Sequence, residues 1–453
     1  MDTPEDLNSA KGAYALLSLG CPKNLVDSER MAGLLHRDGY RLVSRPEEAD
    51  FVVVNTCGFI DHARTESYDT IEEMLRLKQQ GLLRGVIVAG CLAERDKEQM
   101  LRRFPQIDQL VGVFAREEIA TAVGRVMGGQ AGSRALFRPP AKPPLPDGNR
   151  LRLMPRHLAY LKIAEGCNRL CSFCSIPSMR GPYASKPIEQ LTAEAEELAA
   201  GGAGELIVIA QDTSSYGLDL YGRPRLAELV ARLNEIGGLK WIRLMYLYPM
   251  HVTDELIDTV ASAEKVLPYL DIPLQHINDE VLGRMRRGIG RAESEGLIDR
   301  LRSRIERLVL RTTLIAGFPG ETERQFAELL RFVEQTRFER MGVFTYRDEP
   351  GTPSMELDGR LPENVKLARR NQLMAAQQEI AFARNESQVG RRIEVIVDRD
   401  IPGENNAYVA RSYADAPEVD GVVYLSGENL APGQIVPCEI VAWRGYDLIA
   451  ARV

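Results

Sequence analysis

Short apolar runs and helically spaced apolar positions alternate through the first 130 residues. The runs at 13–19, 51–55 and 85–89 are rich in Val, Leu and Ile, and amphipathic stretches such as 27–37 and 67–80 separate them. Strand alternating with helix predicts a parallel sheet with helices on its faces. Residues 131–156 break the pattern with Pro and Gly and read as a linker. From 157 to about 347 the alternation returns six times. The expected strands are 159–163, 205–211, 241–248, 269–274, 312–316 and 341–346, with helices near 187–200, 225–236, 253–261, 291–307 and 322–335. Six βα units are too few for a complete eight-fold barrel and suit an open, partial one. A charged helical stretch at 360–385 reads as a connector. After 389 the period changes to short alternating strands punctuated by Gly and Pro, the mark of a small antiparallel β-barrel. The chain is thus expected to be α/β, with an open parallel-sheet domain (1–130), a linker (131–156), a partial (βα)6 barrel (157–385) and a small β-barrel (386–453).

Composition narrows the class. At 453 residues about three domains are expected. A net charge of −7 argues against a partner held by nonspecific phosphate contacts. The first fourteen residues are polar and acidic, unlike a signal peptide, and no apolar run is long enough to span a membrane. A cytoplasmic protein follows, in which seven cysteines are metal ligands or free thiols before they are disulfides.

The chemistry concentrates in cysteine. Cys167, Cys171 and Cys174 stand in the spacing Cys-x₃-Cys-x₂-Cys. Three thiolates so close can hold three corners of an iron–sulfur cube, which is normally tied by four. The fourth iron is left open to an outside ligand. A structural zinc site is the alternative, but zinc in that role takes a closed set of four; no fourth Cys is near, and His157 falls on the preceding strand. In the first domain Cys21, Cys57 and Cys91 each end an apolar run, beside Gly20, Gly58 and Gly90. Ligands of open parallel sheets bind beyond the carboxyl ends of the strands. Three cysteines there point to a second three-sulfur cluster with an open iron; three inert core thiols are the plainer alternative.

Other motifs are less specific. Arg180-Gly181-Pro182 reads as a turn. Gln211-Asp212-Thr213 either faces a bound amino acid moiety or forms a turn and helix cap. In the stretch from Leu314 to Thr322, Gly317 and Gly320 permit close approach to a ligand, and Thr322 can cap the next helix. The run Met285-Arg286-Arg287-Gly288 could reach a carboxylate, though an exposed charged face is the commoner outcome for such a run, and Cys438 reads as barrel core. Residues 389–453 hold six arginines, no lysine and ten acids. That balance suits a basic protein partner and argues against nucleic acid as the direct substrate.

The three-cysteine loop resembles that of the radical S-adenosylmethionine (SAM) enzymes. The resemblance extends over nearly the whole chain to the methylthiotransferases: SLGCPKNLVDSE (18–29), NTCGFID (55–61), GCLAER (90–95), IPSMRGPYASKP (176–187), IAQDTSSYG (209–217), MYLYP (245–249), LDIPLQH (270–276), GFPGETE (317–323) and RSYADAPEVDG (411–421). It is to the RimO type, with a TRAM-like C-terminal barrel. The transfer-RNA type usually has Gln-Met-Asn after its first cysteine, where Pro22-Lys23-Asn24 stands here. Lys186 departs from the Arg common in the family.

The resemblance implies two [4Fe-4S] clusters, on Cys21, Cys57 and Cys91 and on Cys167, Cys171 and Cys174. It implies S-adenosylmethionine held near Gln211, Asp212, Gly317, Gly320 and Glu321. One S-adenosylmethionine methylates a sulfur on the first cluster. A second is split at the other cluster, and its radical takes hydrogen from the β-carbon of an aspartate in ribosomal protein S-twelve of the small subunit. An electron donor such as flavodoxin or ferredoxin is implied too. Three rival readings stay open: a transfer-RNA methylthiotransferase, a two-cluster electron carrier, and a zinc-stapled binding module.

Overall fold

The computed structural model describes residues 10–129 and 132–453. The acidic residues 1–9, part of the stretch read as lacking a signal peptide, and residue 131, the first of the expected linker, lie outside it. The described residues form two compact units. One holds the chain up to Met154 with 162–168 and 175–197; the other holds 155–161, 169–174 and 198–453.

The first unit is built on a six-stranded parallel sheet. Its strands are β1 (Gly12–Ser18), β2 (Tyr40–Leu42), β3 (Phe51–Thr56), β4 (Gly85–Gly90), β5 (Gln109–Val111) and β6 (Ala135–Leu136), in the order β2-β1-β3-β4-β5-β6. Both faces are buried, so alternate residues serve two cores. Val52, Val54, Val86 and Val88 pack on one side; Phe51, Val53, Ile87 and Ala89 pack on the other. That explains why β3 and β4 read as unbroken apolar runs. Strands β2, β5 and β6 are two or three residues long, too short to show a period. The order reverses between β1 and β3: β2 lies to one side, and β3 to β6 follow on the other. This is the topological switch point, where such sheets place their ligands.

The Pro-rich stretch expected to be a linker is packed. It contributes β6, its Leu151 N–H donates to Glu29 O over 3.0 Å, and Asp147 is buried. Lacking periodicity, it is held by hydrogen bonds to the helix Pro22–Arg37 together with scattered apolar contacts of Leu136, Phe137 and Leu151. Strand β7 (Leu158–Lys162) runs up to a two-stranded ribbon of β8 (Ala164–Glu165) and β9 (Ala184–Ser185), which flanks the short helix Ile176–Arg180.

The second unit carries the other parallel sheet: β7, β10 (Glu205–Ile209), β11 (Trp241–Leu244), β12 (Val266–Asp271), β13 (Val309–Ala316) and β14 (Arg340–Thr345), in the order β14-β13-β12-β11-β10-β7. Sequential strands lie side by side and the ends do not close, as six βα units predict. The helix Glu363–Gln388 packs on it, with Gln377 Nε2 donating to Phe338 O over 2.8 Å.

The C-terminal strands β15 (Arg392–Asp400), β16 (Ala407–Ser412), β17 (Val423–Ser426), β18 (Ile435–Arg444) and β19 (Asp447–Arg452) close into a barrel. Four pairings are antiparallel and the fifth, β17 with β19, is parallel. An odd ring cannot alternate direction all the way round, so a purely antiparallel barrel was unattainable with five strands. Cys438 is buried inside it, as expected. A buried ion pair attaches the barrel: Arg411 of β16 reaches Glu205 of β10 over 2.7 Å, with Asp398 bracing Arg411 within the barrel over 2.7 Å and the fully buried Arg243 bracing Glu205 within the sheet over 2.8 Å.

Candidate functional site

Cys21, Cys57 and Cys91 follow β1, β3 and β4, three neighbouring strands that flank the switch point. Cys21 caps the helix Pro22–Arg37, and Cys91 begins the helix Cys91–Asp96. Asn24 and Asn55 knit the loops together. Asn24 Nδ2 donates to Leu19 O over 2.7 Å and to Asn55 O over 3.2 Å; Asn55 Nδ2 donates to Asn24 O over 2.8 Å and to Ser28 Oγ over 2.7 Å. Gly20 sits at φ +87°, and a Cβ there would lie 2.5 Å from Cys57 Cβ. The glycine is required because a neighbouring cysteine fills the space, before any ligand is considered.

Burial pushes the Cys57 thiol up and the Cys91 thiol up to about 12, while Arg180 works in the opposite direction on both. Thiols this hard to ionise become thiolates when a metal takes them, since coordination deprotonates a thiol outright. Among the described residues, no three His, Cys, Asp or Glu side chains converge as ligands of one metal ion. A cluster that brings its own sulfides spreads its cysteines more widely than a single ion does. An all-sulfur donor set of this kind suits iron–sulfur.

Arg180 is the residue that sequence reasoning missed. It does precede a turn, as expected, with Gly181 at φ +70°, but its side chain is buried. Its Nε donates to Cys91 Sγ over 3.0 Å. Burial would lower its affinity for a proton, yet Cys91, Asp27, Glu165 and Cys21 outweigh that and hold it charged. It belongs to a buried network in which the acids Asp27, Asp147, Glu165 and Glu194 meet the cations Arg116, Lys162, Arg180 and Lys186. Lys186, the departure from the family pattern, serves Asp147 and Glu194, each over 2.7 Å. The available signal was a lysine, Lys162, inside the apolar run of β7.

In the second cysteine loop, Cys167 N–H donates to Gly181 O over 3.1 Å, and Cys174 N–H to Cys171 O over 3.2 Å. Ser172 anchors the middle, its Oγ donating to Arg284 O over 2.7 Å and its N–H to Met285 O over 3.0 Å. The run 285–288 is not the exposed face expected. Met285 and Arg287 are buried; only Arg286 and Gly288 are exposed. Arg287 Nη1 lies 3.4 Å from Cys171 Sγ, and its guanidinium stacks 4.2 Å from the Tyr248 ring, which Arg169 also covers at 3.9 Å. A charge run is exposed by default, and here a sulfur and a ring override that.

Of the five candidate SAM contacts, Gln211 is half-buried just beyond β10. Asp212 accepts from Ser215 N–H over 3.2 Å and from Arg169 Nε over 2.7 Å, which is the turn-and-cap arrangement. Glu321 accepts from Gly317 N–H over 3.0 Å and from Arg369 Nη1 over 2.7 Å. Gly317 makes room for Lys366, whose Cγ lies 2.3 Å from where a Cβ would be. Gly320 N–H donates to Gly359 O over 2.7 Å. Thr322 caps the helix Glu323–Thr336.

Three family models match the chain: the uncharacterized protein family UPF0004 over residues 13–112, the radical SAM superfamily over 161–333, and the TRAM domain over 389–453. The chain is 47% identical over 441 residues to a protein named ribosomal protein uS12 methylthiotransferase RimO from Pelotomaculum thermopropionicum, covering 97% of this chain and 98% of the relative. It is 44% identical over 436 residues to one of the same name from Anaeromyxobacter sp., covering 96% and 92%. The chain belongs to the RimO-type radical SAM methylthiotransferases. It is an enzyme of that class. The RimO-type chain also shares its fold with the radical SAM methyltransferase TsrM from Kitasatospora setae, solved with tryptophan substrate and a SAM analogue (TM-score 0.56, 16% identity, 76% of this chain and 74% of that one). The cobalamin-dependent radical SAM enzyme OxsB is similar at TM-score 0.52 and 11% identity, over 82% and 56%.

The C-terminal barrel does not present the acidic surface that its composition suggests. Most of the acid excess of 389–453 is drawn off the surface, with Glu439 and Asp447 left half-exposed. Asp398, Asp415 and Asp420 pair with Arg411, Arg340 and Arg311. What remains exposed is five acids (Glu394, Asp400, Glu404, Glu418, Glu428) against five arginines (391, 392, 399, 444, 452). Counting charge along a sequence cannot separate solvated carboxylates from buried ones. Among the described residues, no helix is long and apolar enough to cross a membrane.

Proposed function

We propose that the chain methylthiolates the β-carbon of an aspartate in ribosomal protein uS12, in the cytoplasm; the names of its relatives give uS12 methylthiotransferase activity for those proteins. The observation that carries the reading is the placement of Cys21, Cys57 and Cys91 just after three neighbouring strands beside the sheet's switch point, in a chain that also bears Cys167, Cys171 and Cys174 after β7. When bound, two [4Fe-4S] clusters on these sets would supply a docking iron for the transferred sulfur and an electron to cleave S-adenosylmethionine, one molecule of which gives its methyl group and another the radical. The chain's own residues do the rest. Asn24 and Asn55 fix the spacing of the first set. Ser172 fixes the second loop. Arg287 and Arg180 each place a cation at one sulfur.

The choice of uS12 over transfer RNA rests on the relatives and on Pro22-Lys23-Asn24, not on barrel charge. The test is anaerobic reconstitution with a flavodoxin or ferredoxin reductant, then mass spectrometry of uS12 and of transfer RNA for an added methylthio group. Cys171→Ala abolishes deoxyadenosine release; Cys57→Ala spares it and stops sulfur transfer. Full release from Cys171→Ala, or label on transfer RNA alone, overturns the proposal.

A further inference from the structure

We infer that Arg180 is a positioning residue for the cluster on Cys21, Cys57 and Cys91, setting one N–H donor and one fixed positive charge against the Cys91 sulfur and so holding that cluster's reduction potential up. This rests on the reading of those cysteines as cluster ligands.

The geometry assigns nearly every donor of the side chain. Nε goes to Cys91 Sγ over 3.0 Å, Nη1 to Asp27 Oδ2 over 2.6 Å and Glu165 Oε1 over 3.2 Å, and Nη2 to Asn24 Oδ1 over 3.2 Å. The side chain is 3% exposed, so the charge cannot swing to solvent. Charge balance alone does not explain the contact with sulfur. Asp27 already has Arg116 and Lys162, and Glu165 has Lys162 over 2.9 Å. Asn24 joins the donor to the loop frame, since its own Nδ2 ties the ends of β1 and β3 together.

Hydrogen bonds and positive charge at a cluster's sulfurs favour the electron-richer state. Three thiolates leave such a cluster anionic, and an anionic sulfur at its open iron adds to that charge. A cation locked at Cys91 offsets both.

The experiment uses the full chain with Cys167, Cys171 and Cys174 all changed to Ala, so that one cluster remains, reconstituted anaerobically. Iron content and an EPR-monitored redox titration are the readouts. The parent is expected to hold about four irons. R180Q shifts the midpoint to more negative potential, and R180K restores part of the shift. R180Q leaves the buried acids short of one cation, so R180Q/E165Q is titrated beside it; it removes one charge of each sign and shifts the same way. An unchanged midpoint in R180Q or R180Q/E165Q at full iron content overturns the inference. A parent that binds no iron overturns the cluster reading itself, which is a separate outcome.

Discussion

Arg287 donates to the Cys171 sulfur over 3.4 Å while its guanidinium lies 4.2 Å from the Tyr248 ring. The ring holds the cation in place and the cation serves the sulfur. Groups that support metal ligands in this way are typically worth roughly 10–100-fold in metal affinity. Arg287→Ala is therefore expected to lose iron from the second loop. After reconstitution and desalting, iron falls from about eight toward about four per chain on the two-cube reading, with Arg287→Lys between. Unaltered iron retention would show the contact to be incidental.

Gly20→Ala should damage the first cysteine set alone. The new methyl group would lie 2.5 Å from Cys57 Cβ, at a φ of +87° that costs any other residue about 1 kcal/mol or more. The expected result is loss of about half the iron, with deoxyadenosine release kept. Retention of all the iron in Gly20→Ala counts against the convergence of these loops on one cluster.

Asp27 meets Lys162, Arg180 and Arg116, all buried. Burial opposes its ionisation, but the three cations hold it well below the usual carboxylate range. Arg116, Lys162 and Lys186 do the same for Asp147, and Lys162 and Arg180 for Glu165. For a depressed carboxylate, stability is fully present above its unfolded pKa, near 4, and is lost as pH falls through the folded value. The urea midpoint should hold steady from pH 7 to 5 and drop steeply below 4. Asp27→Asn leaves cations uncompensated and should cost about 3–5 kcal/mol at pH 7, with a shallower decline in acid. An equally steep acid decline in Asp27→Asn would place the titration elsewhere.

Arg411→Met should loosen the C-terminal barrel. It leaves the fully buried Glu205 with Arg243 as its one remaining cation and removes both contacts to Asp398. Breaking one side of a buried pair costs about 3–5 kcal/mol. Limited proteolysis should then cut near residue 389 and release the barrel at protease concentrations that leave the parent whole; identical digestion patterns would refute the role.

The apolar periodicities of the chain determined both parallel sheets, the six-fold open repeat and the small barrel, because strands such as β3 and β4 are buried on both faces and their composition shows it. The spacing of Cys167, Cys171 and Cys174, and the strand-end positions of Cys21, Cys57 and Cys91, were equally local signals. Tertiary structure alone decided which charges are buried. Arg180, Arg287 and Asp27 look like ordinary surface residues in sequence, and their partners lie 89, 116 and 153 positions away. The packed course of 132–156 and the pairing of the barrel's Asp398, Asp415 and Asp420 share that cause: an ion pair between distant residues leaves no periodic trace in the chain.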